Sequence, residues 1–254
     1  MLKNLGIVLL SLLTSFIFNR VSYAESTIYT LPIALQQQLK LATEQLRKGE
    51  CDDEKQPLSS ELFYSLPTGE LLILMGLPSY MCHIGSFMPT MVDRQGHWSW
   101  HDAIDGYPAL LLTDSTQGGY WLVSHGEVEG VYPALRHSRD GLHWQEIVLP
   151  ESRNIDCCFE WLKQVCEVEG QIQLQFSSMD DEVTGFWSTT LNDSLTATPH
   201  WQKLTPEQIQ PATQCQTVPL GQGNWQRKPS QQAQSVQFQS AQPGGTVVIP
   251  LWLK

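Results

Sequence analysis

Over most of its length the chain alternates short apolar and polar stretches, and only one segment near the N-terminus keeps a helical rhythm. In residues 33–48, Leu35, Leu39, Ala42 and Leu46 recur at helical spacing with glutamines and charges between them, and Gly49 follows as a stop. That pattern predicts one amphipathic helix. Residues 26–31 are short and β-prone, while residues 50–60 are acidic and read as a loop. From Leu62 the helical period disappears. Leu71-Leu72-Ile73-Leu74-Met75 is a continuous apolar run of the kind carried by a strand buried on both faces. Gln171-Ile172-Gln173-Leu174-Gln175-Phe176 alternates strictly, as a strand with one covered face does.

The strands come in a repeated order. The dipeptide His-Trp occurs as His97-Trp98, His143-Trp144 and His200-Trp201, with spacings of 46 and 57 residues between successive tryptophans. Each unit reads glycine, strand, loop, strand, Asp-containing turn, and then a strand opened by His-Trp. The repeats lie near residues 69–103, 118–150 and 170–206. Units of this length, too small to bury an apolar face alone, are the signature of stacked propeller blades. The expected fold is therefore mostly β, with propeller-like antiparallel blades in residues 61–254. A strand, one amphipathic helix and the acidic loop precede them in residues 25–60. Residues 235–239 and 246–252 predict two last strands, the second placed to pair with the N-terminal one. Asn224-Trp225-Gln226 echoes the repeat but follows Trp201 too closely for a fourth full unit.

Ser138-Arg139-Asp140-Gly141-Leu142-His143-Trp144 resembles the Asp-box turn of BNR-type β-propellers, a group that includes sialidases and many non-enzymatic proteins. In such a turn Asp140 bonds the amides of its own loop, Gly141 supplies a positive φ, and Trp144 packs beneath on the sheet. The usual pattern has one more residue between acid and glycine. The first unit keeps Asp93, Gly96 and Trp98, and the third keeps Asp193 and Trp201 without the glycine. The resemblance covers residues 69–206 and implies a blade fold. It assigns no activity, because Asp-boxes are folding elements.

Lys3, an apolar run over residues 5–18, and the small residues Ser22 and Ala24 predict a signal peptide in residues 1–24, cleaved after Ala24. A periplasmic or secreted protein is expected, with no membrane insertion after cleavage because no long apolar run recurs. The 254 residues carry a formal charge of −11, which becomes −13 when Lys3 and Arg20 leave with the leader. Such a surface repels phosphate backbones, which argues against nucleic acid and favours a protein partner with a basic surface. All six cysteines, Cys51, Cys82, Cys157, Cys158, Cys166 and Cys215, lie in the exported part and read as disulfide candidates. One arrangement has Cys157 or Cys158 closing a short loop with Cys166, its neighbour reaching Cys215, and Cys51 joining Cys82. No C-x-x-C spacing suggests zinc.

Candidate chemistry is sparse. A sialidase-like site needs an arginine cluster for a carboxylate, a Tyr/Glu nucleophile pair and an acid/base aspartate. Arg47, Arg94, Arg136, Arg139, Arg153 and Arg227 are the arginines after the leader; Arg139 belongs to the turn and Arg47 to the helix. His97, His101, Asp102 and Asp105 suggest a metal, but residues 97 and 101 on one strand stand roughly 13 Å apart. The sequence therefore predicts no catalytic, cofactor or metal residues. Trp98, Trp144 and Trp201 are expected in the core, and Trp121, Trp161 and Trp187 are candidates for an exposed binding face. The expected function is non-catalytic protein binding, as an inhibitor or immunity protein against an exported toxin. A glycan-active hydrolase or lectin of the sialidase-like propeller type is the alternative.

Overall fold

Gly, Asp and Asn punctuation every few residues leaves little room for helices, and strands dominate the computed structural model. It describes residues 27–46, 57–59, 62–77, 85–114, 118–127, 131–150, 160–178, 182–211, 224–230, 234–241 and 245–252. The predicted leader, most of the acidic loop, and Cys51, Cys82, Cys157, Cys158 and Cys215 lie outside the described residues, as does Arg153.

Four sheets follow one another along the chain. The first contains β2 (Phe63–Ser65), β3 (Leu71–Gly76), β4 (Ser86–Val92) and β5 (Trp98–Trp100), with β6 (Ile104–Asp105) also paired to β4. The second contains β7 (Tyr107–Thr113), β8 (Tyr120–Glu127), β9 (Val131–Ser138) and β10 (Gln145–Ile147). The third contains β11 (Glu160–Val168), β12 (Gln171–Ser178), β13 (Val183–Thr190) and β14 (Gln202–Lys203). The fourth contains β15 (Trp225–Lys228), β16 (Ser235–Ser240) and β17 (Thr246–Pro250). Neighbours are antiparallel meanders throughout, except that β1 (Ile28–Thr30) joins the fourth sheet parallel to β17, with Ile28 opposite Thr246. Helix α1 (Ile33–Leu46) follows β1.

Three features depart from the sequence reading. Each of the first three sheets begins one strand before the predicted repeat, at β2, β7 and β11. The histidines also stand in the turns and not on the strands, since β5 starts at Trp98, β10 at Gln145 and β14 at Gln202. Asn192-Asp193-Ser194, read as a loop, is a helical turn over Leu191–Ser194. Its start is capped by the Thr190 hydroxyl, which accepts from the Asp193 amide.

The sheets stack face to face. Leu71, Ile73 and Met75 of β3 face one way, onto Trp225, Phe238, Val247 and Ile249 of the fourth sheet and Leu35 and Leu39 of α1. Leu72 and Leu74 face the other way, onto Leu111 and Leu122 of the second sheet. That double burial is why β3 is apolar without alternation. The opposite face of the second sheet packs Trp121, Val123 and Leu135 against Val165, Ile172, Leu174 and Phe176 of the third. The far face of the third sheet is polar, and the chain crosses it at Gln208 and Gln210. Gln164 donates to the Gln210 carbonyl at 2.6 Å, and Gln173 accepts from the Gln210 amide at 2.9 Å.

Candidate functional site at the ends of the sheets

Strand direction sorts the polar and aromatic side chains to two ends. At one end, each of the first three sheets turns back through an aspartate. Asp140 Oδ1 accepts from the Leu142 amide at 2.9 Å, the His143 amide at 2.8 Å and the Ser138 hydroxyl at 3.0 Å. Its Oδ2 pairs with His143 Nδ1 at 2.6 Å. Gly141 completes the turn with φ of 79°, in the region where a side chain is strained. Burial pushes the Asp140 carboxyl up, but the bonds from His143, Leu142 and Ser138 outweigh it and hold it at about 2.

The other two turns repeat this chemistry. Asp93 accepts from the amides of Gln95 and His97 at 2.8 and 2.9 Å and pairs with His97 Nδ1 at 2.9 Å. Asp193 accepts from the His200 amide at 2.6 Å and the Thr189 hydroxyl at 3.1 Å. The unit is therefore a carboxylate that organises a turn and clasps the histidine preceding the tryptophan. Each tryptophan then sits where its sheet meets the preceding one. Trp98 packs on the core shared with the fourth sheet, Trp144 on that between the first and second, and Trp201 on that between the second and third. Trp201 Nε1 donates to the Val148 carbonyl beyond β10 at 2.8 Å, and Trp144 Nε1 to Gly141 at 3.0 Å. All three are half-buried at the sheet margins and not in the deep core. The apolar centres are filled instead by Trp121 and Trp225.

Two ionic groups are buried inside the second sheet. The Arg136 guanidinium donates to the Ser124 hydroxyl, to the Asp105 carbonyl at 3.1 Å and to Glu146 at 2.8 Å. Burial lowers its pKa, and Glu146 acts in the opposite sense. His137 Nε2 lies 2.9 Å from Asp114, with its ring 4.5 Å from that of Trp121. Burial pulls the imidazole below its ordinary value and Asp114 only partly opposes this. Arg136 holds the sheet together, Arg139 lies in the Asp140 turn and Arg94 in the Asp93 turn.

At the opposite end, Tyr107 starts β7, His125 lies near the end of β8 and Trp161 lies near the start of β11. His125 stands 5.7 Å from Tyr107 and 4.8 Å from Trp161, ring centre to ring centre. All three are half-buried, so ring surface remains open to solvent. The Gly106 amide, bonded to Gly85 at 2.9 Å, joins the first sheet to this end. The same end of the sheets carries two exposed acidic residues, Asp105 at the end of β6 and Glu182 beside the exposed Val183 that starts β13.

Of the three tryptophans expected on a binding face, only Trp161 lies here. Trp121 is 1 % exposed and packs between the second and third sheets, which corrects its assignment. Trp187 is half-buried against that core, with Lys203 Nζ 5.9 Å above its ring. Tyr107 and His125 were not predicted. Tyr107 sits on a strand that carries no motif and His125 just past the predicted stretch of β8, and only the packing of sheets unites them with Trp161. Cys166 is buried in β11. Among the described residues no group of three or more His, Cys, Asp or Glu side chains is arranged to hold a metal ion. No described helix is long and apolar enough to cross a membrane.

No family model matches the chain, and no curated protein or solved structure is detectably similar to it.

Proposed function

We propose that this chain is an exported, non-catalytic binding protein that grips a protein with a basic surface through the Tyr107–His125–Trp161 rim. The observation that carries the reading is the rim itself: three half-buried rings, with His125 in contact with both Tyr107 and Trp161, at the end of the sheets that also carries the exposed Asp105 and Glu182. Aromatic faces beside carboxylates suit lysine and arginine side chains, which bind both ring and charge. The net charge of −11 favours the same partner class. The leader pattern supports export to the periplasm, and inhibition of an exported toxin is a role that fits this compartment and charge. Support for a propeller-like arrangement comes from the order in which the sheets stack, fourth on first, first on second, second on third. The three aspartate turns support the Asp-box reading, and six cysteines in an exported chain support disulfides.

The test is retention of basic proteins from the exported fraction on immobilised wild-type and Trp161→Ala protein. The expected result is one stoichiometric basic partner, bound at least roughly tenfold more weakly by the variant, whose melting temperature is unchanged. Retention of a glycan in place of a protein, or an indifferent Trp161→Ala, would overturn the reading.

A further inference from the structure

His101, which the sequence reading set too far from His97 to share an ion with it, meets a different histidine in the fold. Its ring lies 4.5 Å from that of His143, at an interplanar angle of 66°. We propose that His101 and His143 together bind one borderline divalent transition-metal ion, such as Zn²⁺, Ni²⁺ or Cu²⁺, with water completing the shell. His101 follows β5 of the first sheet, whereas His143 belongs to the turn before β10 of the second, so the ion bridges two sheets.

Three observations carry this. First, His143 already has the arrangement typical of a metal-binding imidazole. Its Nδ1 faces the Asp140 carboxylate at 2.6 Å, which fixes the tautomer and leaves Nε2 as the outward lone pair. Second, metal–nitrogen bonds of about 2 Å place two nitrogens on one ion no more than about 4 Å apart. Ring centres 4.5 Å apart are compatible with that separation while His143 keeps its bond to Asp140. Third, both rings line one open cavity of about 580 Å³ with Asp140, Arg139 and Trp144, which leaves room for the ion and its waters. His97 and His200 occupy the same place in their own turns, with Nδ1 2.9 and 3.6 Å from their aspartates, but no described ring contact pairs either with a second imidazole. They are internal controls. The Arg139 charge opposes a cation in the cavity, and the adjacent Asp140 offsets it.

The test titrates zinc chloride, and separately copper sulfate, into untagged full-length protein. Calorimetry should give one ion per chain, and the Cu²⁺ spectrum should show coupling to two imidazole nitrogens. His101→Gln leaves the Asp140 turn intact, and it and His143→Gln should each weaken binding at least roughly tenfold. His97→Gln and His200→Gln should leave it unchanged, Arg139→Gln should tighten it, and bound metal should raise the melting temperature of wild type but not of His101→Gln. Binding that survives His101→Gln, a stoichiometry of one ion per aspartate turn, or no heat at near-millimolar zinc would overturn the proposal.

Discussion

At the scale of the residue, a single carboxylate holds each turn, and Asp140 shows what that requires. Its two oxygens are engaged by groups no more than three positions away, so the turn was legible from a seven-residue stretch before any fold was known. The carboxyl is held at about 2, below its ordinary value of 3.8. Ionised Asp140 therefore stabilises the fold fully above pH 3.8, and that contribution disappears as pH falls through 2. Asp140→Asn keeps an acceptor but loses the charge. It should cost about 1 kcal/mol at neutral pH, a modest figure because the side chain is half-exposed and screened. Its melting temperature should fall less steeply between pH 4 and pH 2 than that of wild type, which thermal denaturation across that range measures. Trp121 shows the reverse case. Trp121 and Val123 face the third sheet while Leu122 faces the first, so both sides of β8 are covered and alternation carries no signal of exposure.

At the scale of the element, the second to fourth strands of each unit announced themselves through glycines, aspartate turns and His-Trp. The leading strands did not. β2 is only three residues long, β7 contains Pro108, and β11 mixes Lys163 and Gln164 with its apolar positions and breaks register there. The rim was legible only at Trp161, singled out as an aromatic, since Tyr107 opens one of these unannounced strands and His125 lies just past the predicted stretch of β8. Strand β1 was readable as β-prone, but its seating depends on a remote glycine. Tyr29 lies against Gly96, where an added Cβ would enter the ring, and its hydroxyl donates to the Arg94 carbonyl at 3.2 Å. Gly96 has φ of 86°. Gly96→Ala should therefore destabilise by about 1 to 2 kcal/mol through backbone strain and displaced Tyr29 together. Amide exchange should speed up first in β1, followed by mass spectrometry; equal acceleration in β12 would show a global effect and not an unlatched strand.

At the scale of the whole molecule, the stacked sheets present an acidic body with aspartate turns at one end and the aromatic rim at the other. If a basic partner meets that rim, the field of the entire chain steers it, and screening shortens the reach of that field to about 8 Å at physiological ionic strength. Association rate constants should fall as sodium chloride rises while dissociation changes little, which stopped-flow or surface-binding kinetics would resolve. A dissociation rate that carries all the salt dependence would place the charge effect within the contact itself.

The pairing of β1 with β17 has a consequence in time. A ribosome makes Ile28 long before its partner Thr246, which follows only after all of the first three sheets have emerged. Until then the apolar side of β3 and the inner side of α1 have only each other for cover, since Phe238, Val247 and Ile249 do not yet exist. The nascent chain therefore carries an open, sticky surface through most of its synthesis, and closing so long a loop delays the last step further. The two middle sheets can mature as they appear. The sheet that seals them joins a strand made before all of them to three made after.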